Sequence, residues 1–369
     1  MPKPSPIVEA VKSQDLRALQ RAIARETTIP AAASIDAARL GWQAGLAALA
    51  RAGADLNASW RNYRPLHALI QEKPHEGGSS TPERVRCLTW MLSHGVDPER
   101  LGAWPSARAL VIAAFSGQPE YVRALRKGGA AIDVFTAAAL GDDKYVTRKL
   151  SKDASLARTR DQGVLTALHC AAGSRLWKTS PHGQEPFLAI ARRLVDAGAE
   201  VGATARSWDH DVTAAYLAIR SGQVALLELL LDRGFDPTEA VSTAAWDNRE
   251  DVLDLLLARG ADLSRSLEKG RPILNELVRW GQFTQARMVL RKGANPNQPD
   301  ERGWTALHQA ASRGNIRMVE DLISAGADVD RRDVEGHRPL DIARAKPVLS
   351  ALKKLISDGP TRSGTRQRA

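Results

Sequence analysis

One pattern of apolar and polar positions returns along most of the chain. A short alanine-rich apolar run ends at a glycine. A second apolar run follows at helical spacing, then another glycine, then a polar stretch. The clearest copy begins at Thr305 and reads TALHQAASRGNIRMVEDLISAGADVD. Thr305 is a natural helix N-cap, because its hydroxyl can accept from an otherwise orphaned backbone N–H. Ala310 and Ala311 leave a thin helix face against which a neighbour can pack, and Gly314 supplies the left-handed cap that ends the helix. Ile316, Met318, Val319, Leu322 and Ile323 mark one face of a second helix, which Gly326 ends. The polar stretch 328–335 then turns the chain. Two helices this short cannot bury their apolar faces alone, but a stack of such pairs shares a continuous core.

The copies keep register. Arg271 opens RPILNELVRWGQFTQARMVLRKGANPN and Arg338 opens RPLDIARAKPVLSALKKLISDG, so successive starts lie 34 (305 − 271) and 33 (338 − 305) residues apart. Thr213, Thr166 and Arg64 open further copies, and shorter ones lie at 7–25, 35–57, 107–130, 135–153 and 240–263. About eleven units result, over roughly 7–30, 35–57, 64–98, 107–131, 135–160, 166–201, 213–238, 240–264, 271–297, 305–330 and 338–357. They predict one solenoid over 1–357 and a basic, disordered tail over 358–369.

These units resemble ankyrin repeats. TALH at 305–308, TALH at 166–169 and RPLH at 64–67 match the family's TPLH helix start. AGAD at 325–328, RGAD at 259–262, AGAE at 197–200 and AGAD at 52–55 match its post-helix glycine signature. The resemblance implies an all-α solenoid of helix-turn-helix units joined by hairpin-like loops. It also implies that His67, His169 and His308 are structural, hydrogen-bonded within and between repeats. Tyr216, Asn275 and Asp341 stand where other units have that histidine.

Three segments depart from the pattern. Units are lengthened at 70–83 and 174–186, both rich in proline, glycine and polar residues and therefore surface loops. The second, with Trp177 and Lys178, is a candidate extra contact. LGAWPSA at 101–107 is irregular.

Composition narrows the function classes. The chain of 369 residues is 43% hydrophobic and 25% charged, as in a folded soluble protein, and no apolar run is long enough to cross a bilayer. The polar start suggests no signal peptide, so a cytoplasmic protein is expected, with delivery to another cell left open. Cys87 and Cys170 are isolated and read as small buried apolar residues. The formal net charge of +10 favours an acidic partner, and part of that excess sits in Arg362, Arg366 and Arg368 of the tail.

No phosphate-binding glycine loop, dinucleotide fingerprint, zinc-protease HExxH or nucleophile elbow is present. SWDHD at 207–211 clusters acids about a histidine, yet it falls at a loop tip and reads as solvated. We therefore expect no catalytic residues, no metal and no cofactor. The resemblance instead directs attention to the inner helices and loops that line the concave face of such stacks. Residues ending the first helices fall in one column: Arg39 and Leu40, Phe115 and Ser116, Ala139 and Leu140, Arg220 and Ser221, Trp246 and Asp247, Arg279 and Trp280, Ser312 and Arg313. Gln309 shares that face. The preceding loops add Trp60, Arg61 and Tyr63, then Trp208, Asp209 and His210, then Arg302 and Trp304. Trp and Arg are the residue types that anchor protein interfaces. Trp304 can equally pack on its own hairpin, and Trp90, in a second helix, is expected to plug the groove between repeats.

The expected partner-binding set is Trp208, Asp209, His210, Arg220, Trp246, Asp247, Arg279, Trp280, Arg302, Trp304, Gln309, Ser312 and Arg313. The function expected is a non-enzymatic, monomeric scaffold for an acidic protein, with inhibitor, immunity-type and effector roles all open. The alternative is a nucleic-acid-associated protein in which basic residues contact phosphates and Trp stacks on bases.

Overall fold

The computed structural model describes residues 5–71, 80–103, 105–207, 210–264, 271–343, 345–347, 349–350 and 352–353, with the side chains of Ser207 and His210 outside that description. The chain packs as two compact units, Met1–Phe235 and Asp236–Ala369.

The first unit is a succession of antiparallel helix pairs: Pro6–Lys12 with Leu16–Ile23, Ala31–Arg39 with Gln43–Arg51, and Pro65–Ile70 with Pro82–Ser93. Ala109–Ser116 with Pro119–Lys127, Val134–Leu140 with Asp143–Leu150, Ala167–Gly173 with Glu185–Asp196, and Ala214–Ser221 with Val224–Asp232 continue it. In the second unit, Val241–Trp246 pairs with Glu250–Ala258, Ile273–Arg279 with Phe283–Arg291, and Ala306–Arg313 with Ile316–Ser324, and Pro339–Ile342 begins a further pair.

First helices pack on first helices and second on second. The reason is side-chain size. Ala37, Ala38, Ala113, Ala114, Ala137, Ala138, Ala171, Ala172, Ala218, Ala244, Ala245, Ala310 and Ala311 are all fully buried, so neighbouring inner helices approach closely. The second helices carry the larger apolar residues, such as Leu226, Leu227 and Leu230, on the inward face only. Gly117, Gly141, Gly222 and Gly314 close their first helices in the left-handed conformation that the repeat demands. Between Ala203 and Ala214 the connecting segment holds two antiparallel strands, with Thr204 paired to Thr213 and Ser207 to His210. The irregular 101–107 segment also closes a turn, bridging Gly102 to Ala107.

The three histidines are mortar. Nε2–H of His67 donates to the carbonyl of Ala107 at 3.0 Å, that of His169 to Val212 at 3.0 Å and that of His308 to His337 at 3.2 Å. Each acceptor is the residue just before the next repeat's first N-cap. Asn275 uses its side-chain amide for the same bond, donating to Trp304 at 2.7 Å. Nδ1 of His169 and of His308 accepts from the N-cap backbone of Thr166 and Thr305. Burial holds His67 and His169 down to a pKa of about 4, so both are neutral at physiological pH.

Side-chain amides and guanidinium groups tie the outer turns in the same way. Asn57 donates to Gly95 at 3.0 Å and Asn297 to Gly326 at 2.8 Å, and Arg158 takes this place for Gly198 at 3.0 Å. Trp90 is half-buried and stacks on His94, the C-cap of its own helix, with ring centroids 4.3 Å apart.

Candidate functional site

The ends of the inner helices are where a repeat stack displays side chains it does not need for its core. In the first unit much of this column is closed. Phe115 and Ser116 are 9% and 8% exposed, Ala139 is fully buried and Ser221 is 2% exposed. The 174–186 insertion covers part of it. Helix Ala167–Gly173 ends at Ser174 without a left-handed cap, and the chain runs back across the neighbouring helix ends. The N–H of Arg175 donates to Ala114 at 3.0 Å, its guanidinium to the carbonyl of Arg220 at 3.0 Å, and the indole of Trp177 to Ser221 at 3.1 Å. Gln223, itself fully buried, donates its amide to the carbonyls of Ala171, Ala172 and Ser174 at 2.8–3.0 Å. The insertion is thus part of the stack rather than a free loop. Lys178 lies over the ring of the half-buried Trp177.

Arg220 sits under this cover, half-buried, its guanidinium 5.7 Å from the Tyr216 ring centre. Arg84 is a second case of an arginine consumed by architecture. It is 8% exposed, and its Nη1 donates to the last carbonyl of helix Ala31–Arg39 at 2.8 Å. Its other groups bond the Leu69 carbonyl and the Tyr121 hydroxyl. Arg313 repeats the device in the second unit, donating from Nε to the carbonyl of Arg279. Helix C-termini leave orphan carbonyls, and a guanidinium from an adjoining repeat answers them.

In the second unit the column is open. Trp280 is 59% exposed and Trp246 is 37% exposed. They stand at the C-terminal ends of two inner helices, Val241–Trp246 and Ile273–Arg279, that pack on each other. Their neighbour Ala306–Arg313 contributes exposed Arg313, half-buried Ser312 and half-buried Gln309. Asp247 and Arg279 are also half-buried. Glu276 organises the centre of this surface: one oxygen accepts from the Trp280 indole at 3.0 Å, the other meets Arg271 at 3.2 Å and Arg279 at 3.4 Å. The Arg279 guanidinium lies 5.8 Å from the Trp280 ring centre. Trp280 is therefore exposed but held, one side fixed by a carboxylate and one face shared with a cation. Sequence reading passed over Glu276, although its spacing of three and four residues before Arg279 and Trp280 signals such contacts on one helix face.

Two loop residues fall differently from one another. Arg302 is exposed, while Trp304 is half-buried, its indole donating to Asp333 at 3.0 Å and its ring stacked on His308. Trp304 therefore joins the helix of its own repeat to the following loop at Asp333. Trp208 and Asp209 lie outside the described residues, and His210 is described only through its strand pairing.

Among the described residues no three His, Cys, Asp and Glu side chains stand together as metal ligands. Burial pushes the Cys87 thiol up to about 11 and raises that of Cys170 well above its usual value, so neither offers a thiolate near neutral pH. No described helix is long and apolar enough to cross a membrane.

The family model of ankyrin repeats in three copies matches residues 241–333 and 274–361. Among solved structures, the chain is similar to the human ASB11 ankyrin repeat domain, with 22% identity over 62% of this chain and 99% of that one and a TM-score of 0.45. No curated protein sequence matches it. Ankyrin repeats generally mediate protein–protein interaction. The ankyrin-repeat model thus matches the C-terminal third of the chain, and the helix pairs on the N-terminal side of it follow the same order of elements.

Proposed function

We propose that this chain is a non-enzymatic binding protein whose second unit grips a folded protein through the surface around Trp246, Arg279 and Trp280. The observation that carries this reading is the exposure of Trp246 and Trp280 on successive helix ends; with Val334 they are the exposed large apolar side chains among the described residues of that unit. An aromatic held in place loses little rotamer freedom on binding, which favours affinity. Asp247, Gln309 and Ser312 would supply polar contacts around the anchors, with Arg302 and Arg313 at the rim. Trp208, Asp209, His210 and Arg220 belong to the first unit and are proposed as partner contacts of that unit in its own right. Trp304 would contribute by fixing its loop rather than by touching the partner.

An acidic partner fits best, because exposed arginines raise the association rate of a negatively charged protein. Action as a monomer in the cytoplasm, as an inhibitor, immunity-type partner or effector, belongs to the same proposal. The alternative, binding of nucleic acid to the basic, Trp-containing surface, is separated by salt. Phosphate-driven binding of a random oligonucleotide weakens steeply as salt rises. No oligonucleotide binding at low salt eliminates the alternative. Capture of a protein by the native chain, and its loss with the triple variant Trp246→Ala, Arg279→Ala, Trp280→Ala at unchanged helicity, supports the main reading. Retention of the captured protein by that variant refutes it.

A further inference from the structure

The first unit holds a second open surface. At its N-terminal end Lys12, Asp36, Arg39, Trp60, Arg61, Asn62 and Tyr63 line a groove of about 890 Å³. Its far wall is a two-residue turn. Trp60 and Tyr63 exchange both backbone hydrogen bonds, at 2.9 and 3.0 Å, across Arg61 and Asn62, whose φ angles are +49° and +63°. Such a turn ordinarily takes Asn-Gly. An arginine there occupies a left-handed conformation that an L-residue with a side chain adopts only at a cost. The conformation sets the Arg61 guanidinium 4.4 Å from the Trp60 ring centre, with the ring itself 40% exposed. The turn is also braced from the next repeat, because the Ala103 N–H donates to Asn62 at 3.0 Å. On the near wall Arg39 lies over Tyr63 at 5.5 Å and meets Asp36 at 3.0 Å.

The charges in the groove are unbalanced. Asp36 is its one carboxylate and is engaged by Arg39. Lys12 and Arg61 are exposed and make no ion pair with any described residue. The chain's own ends do not complement this groove: the N-terminal segment MPKP brings a further lysine, and beyond Asp358 the C-terminal tail carries arginines without an acid.

We propose that this groove binds an extended acidic segment of a partner protein, an apolar side chain of that segment resting on Trp60 and its carboxylates meeting Arg61 and Lys12. The groove belongs to the first unit, whereas Trp246 and Trp280 belong to the second.

The probe is a fluorescein-labelled glutamate hexapeptide with a central leucine, read by fluorescence anisotropy against the full chain at low salt, beside the same peptide with glutamine for glutamate. The glutamate peptide should bind and the glutamine peptide should not. Trp60→Ala and Arg61→Gly should each weaken binding by about tenfold or more, whereas Trp246→Ala combined with Trp280→Ala should leave it within about twofold. Glycine suits the turn's φ better than arginine, so loss of binding in Arg61→Gly reports lost chemistry rather than lost fold. The proposal is overturned if the glutamate peptide does not bind, if the glutamine peptide binds equally, or if Arg61→Gly and Trp60→Ala bind as the native chain does.

Discussion

Acid should destabilise the first unit through two buried histidines, and the structure says by how much. His67 and His169 titrate near 6.5 when unfolded and at about 4 in the fold, chiefly because burial penalises the charged ring. The native state therefore binds fewer protons than the unfolded chain across that interval. Stability is full above the unfolded value and falls as the pH drops through the window. Going from about pH 7 to about pH 5 costs each histidine about 2 kcal/mol, hence about 4 kcal/mol for the pair, a large share of a typical domain's stability. The perturbation that isolates this effect is already written in the chain. Asn275 makes the inter-repeat bond with an amide that does not titrate. The double variant His67→Asn, His169→Asn should keep the bonds to Ala107 and Val212 and lose most of the pH dependence. Urea unfolding followed by far-UV circular dichroism at the two pH values reads the difference. An equal loss of stability on acidification in native and double-variant chains would refute the assignment, and would place the acid sensitivity in carboxylates instead.

Three further outcomes follow from particular contacts. Arg84→Met should destabilise the first unit by about 2–3 kcal/mol, since it strips buried donors from the carbonyls of Arg39 and Leu69; urea midpoints measure it. Gln223→Ala should cost a similar amount, about 2–3 kcal/mol, and should expose the 174–186 segment to limited proteolysis, because the carbonyls of Ala171, Ala172 and Ser174 lose their donor. Val164→Asn should stabilise the unit by about 1 kcal/mol, seen as a raised melting temperature. Val164 is 40% exposed and sits at φ +66°, where a β-branched side chain is strained and asparagine is tolerated.

What could be read from the sequence is what the repeat writes locally. Thr166 with His169, Thr305 with His308, and the glycines at 117, 141, 222 and 314 act within one turn of helix, so residue type and spacing suffice to place them. Exposure of Trp280 was legible for the same reason, and its grip on Glu276 lies one helical turn away. The closure of the column in the first unit was not legible. It depends on Arg175 reaching Arg220 and on Trp177 reaching Ser221, contacts 45 and 44 residues apart whose geometry follows from how the insertion folds. The consumption of Arg84 and Arg313 by helix ends was hidden likewise, since a cation in a basic column looks the same in sequence whether it faces solvent or a carbonyl.

The central claim is that Trp246, Arg279 and Trp280 form a binding surface. It is tested most directly by calorimetric titration of the captured partner into the native chain and into single alanine variants at these positions. The account predicts that Trp280→Ala, which also frees Glu276, weakens binding by about 2 kcal/mol or more, with the unfolding midpoint unchanged within about 0.5 kcal/mol, as expected of a surface position. Native affinity in Trp280→Ala and Trp246→Ala alike would contradict it.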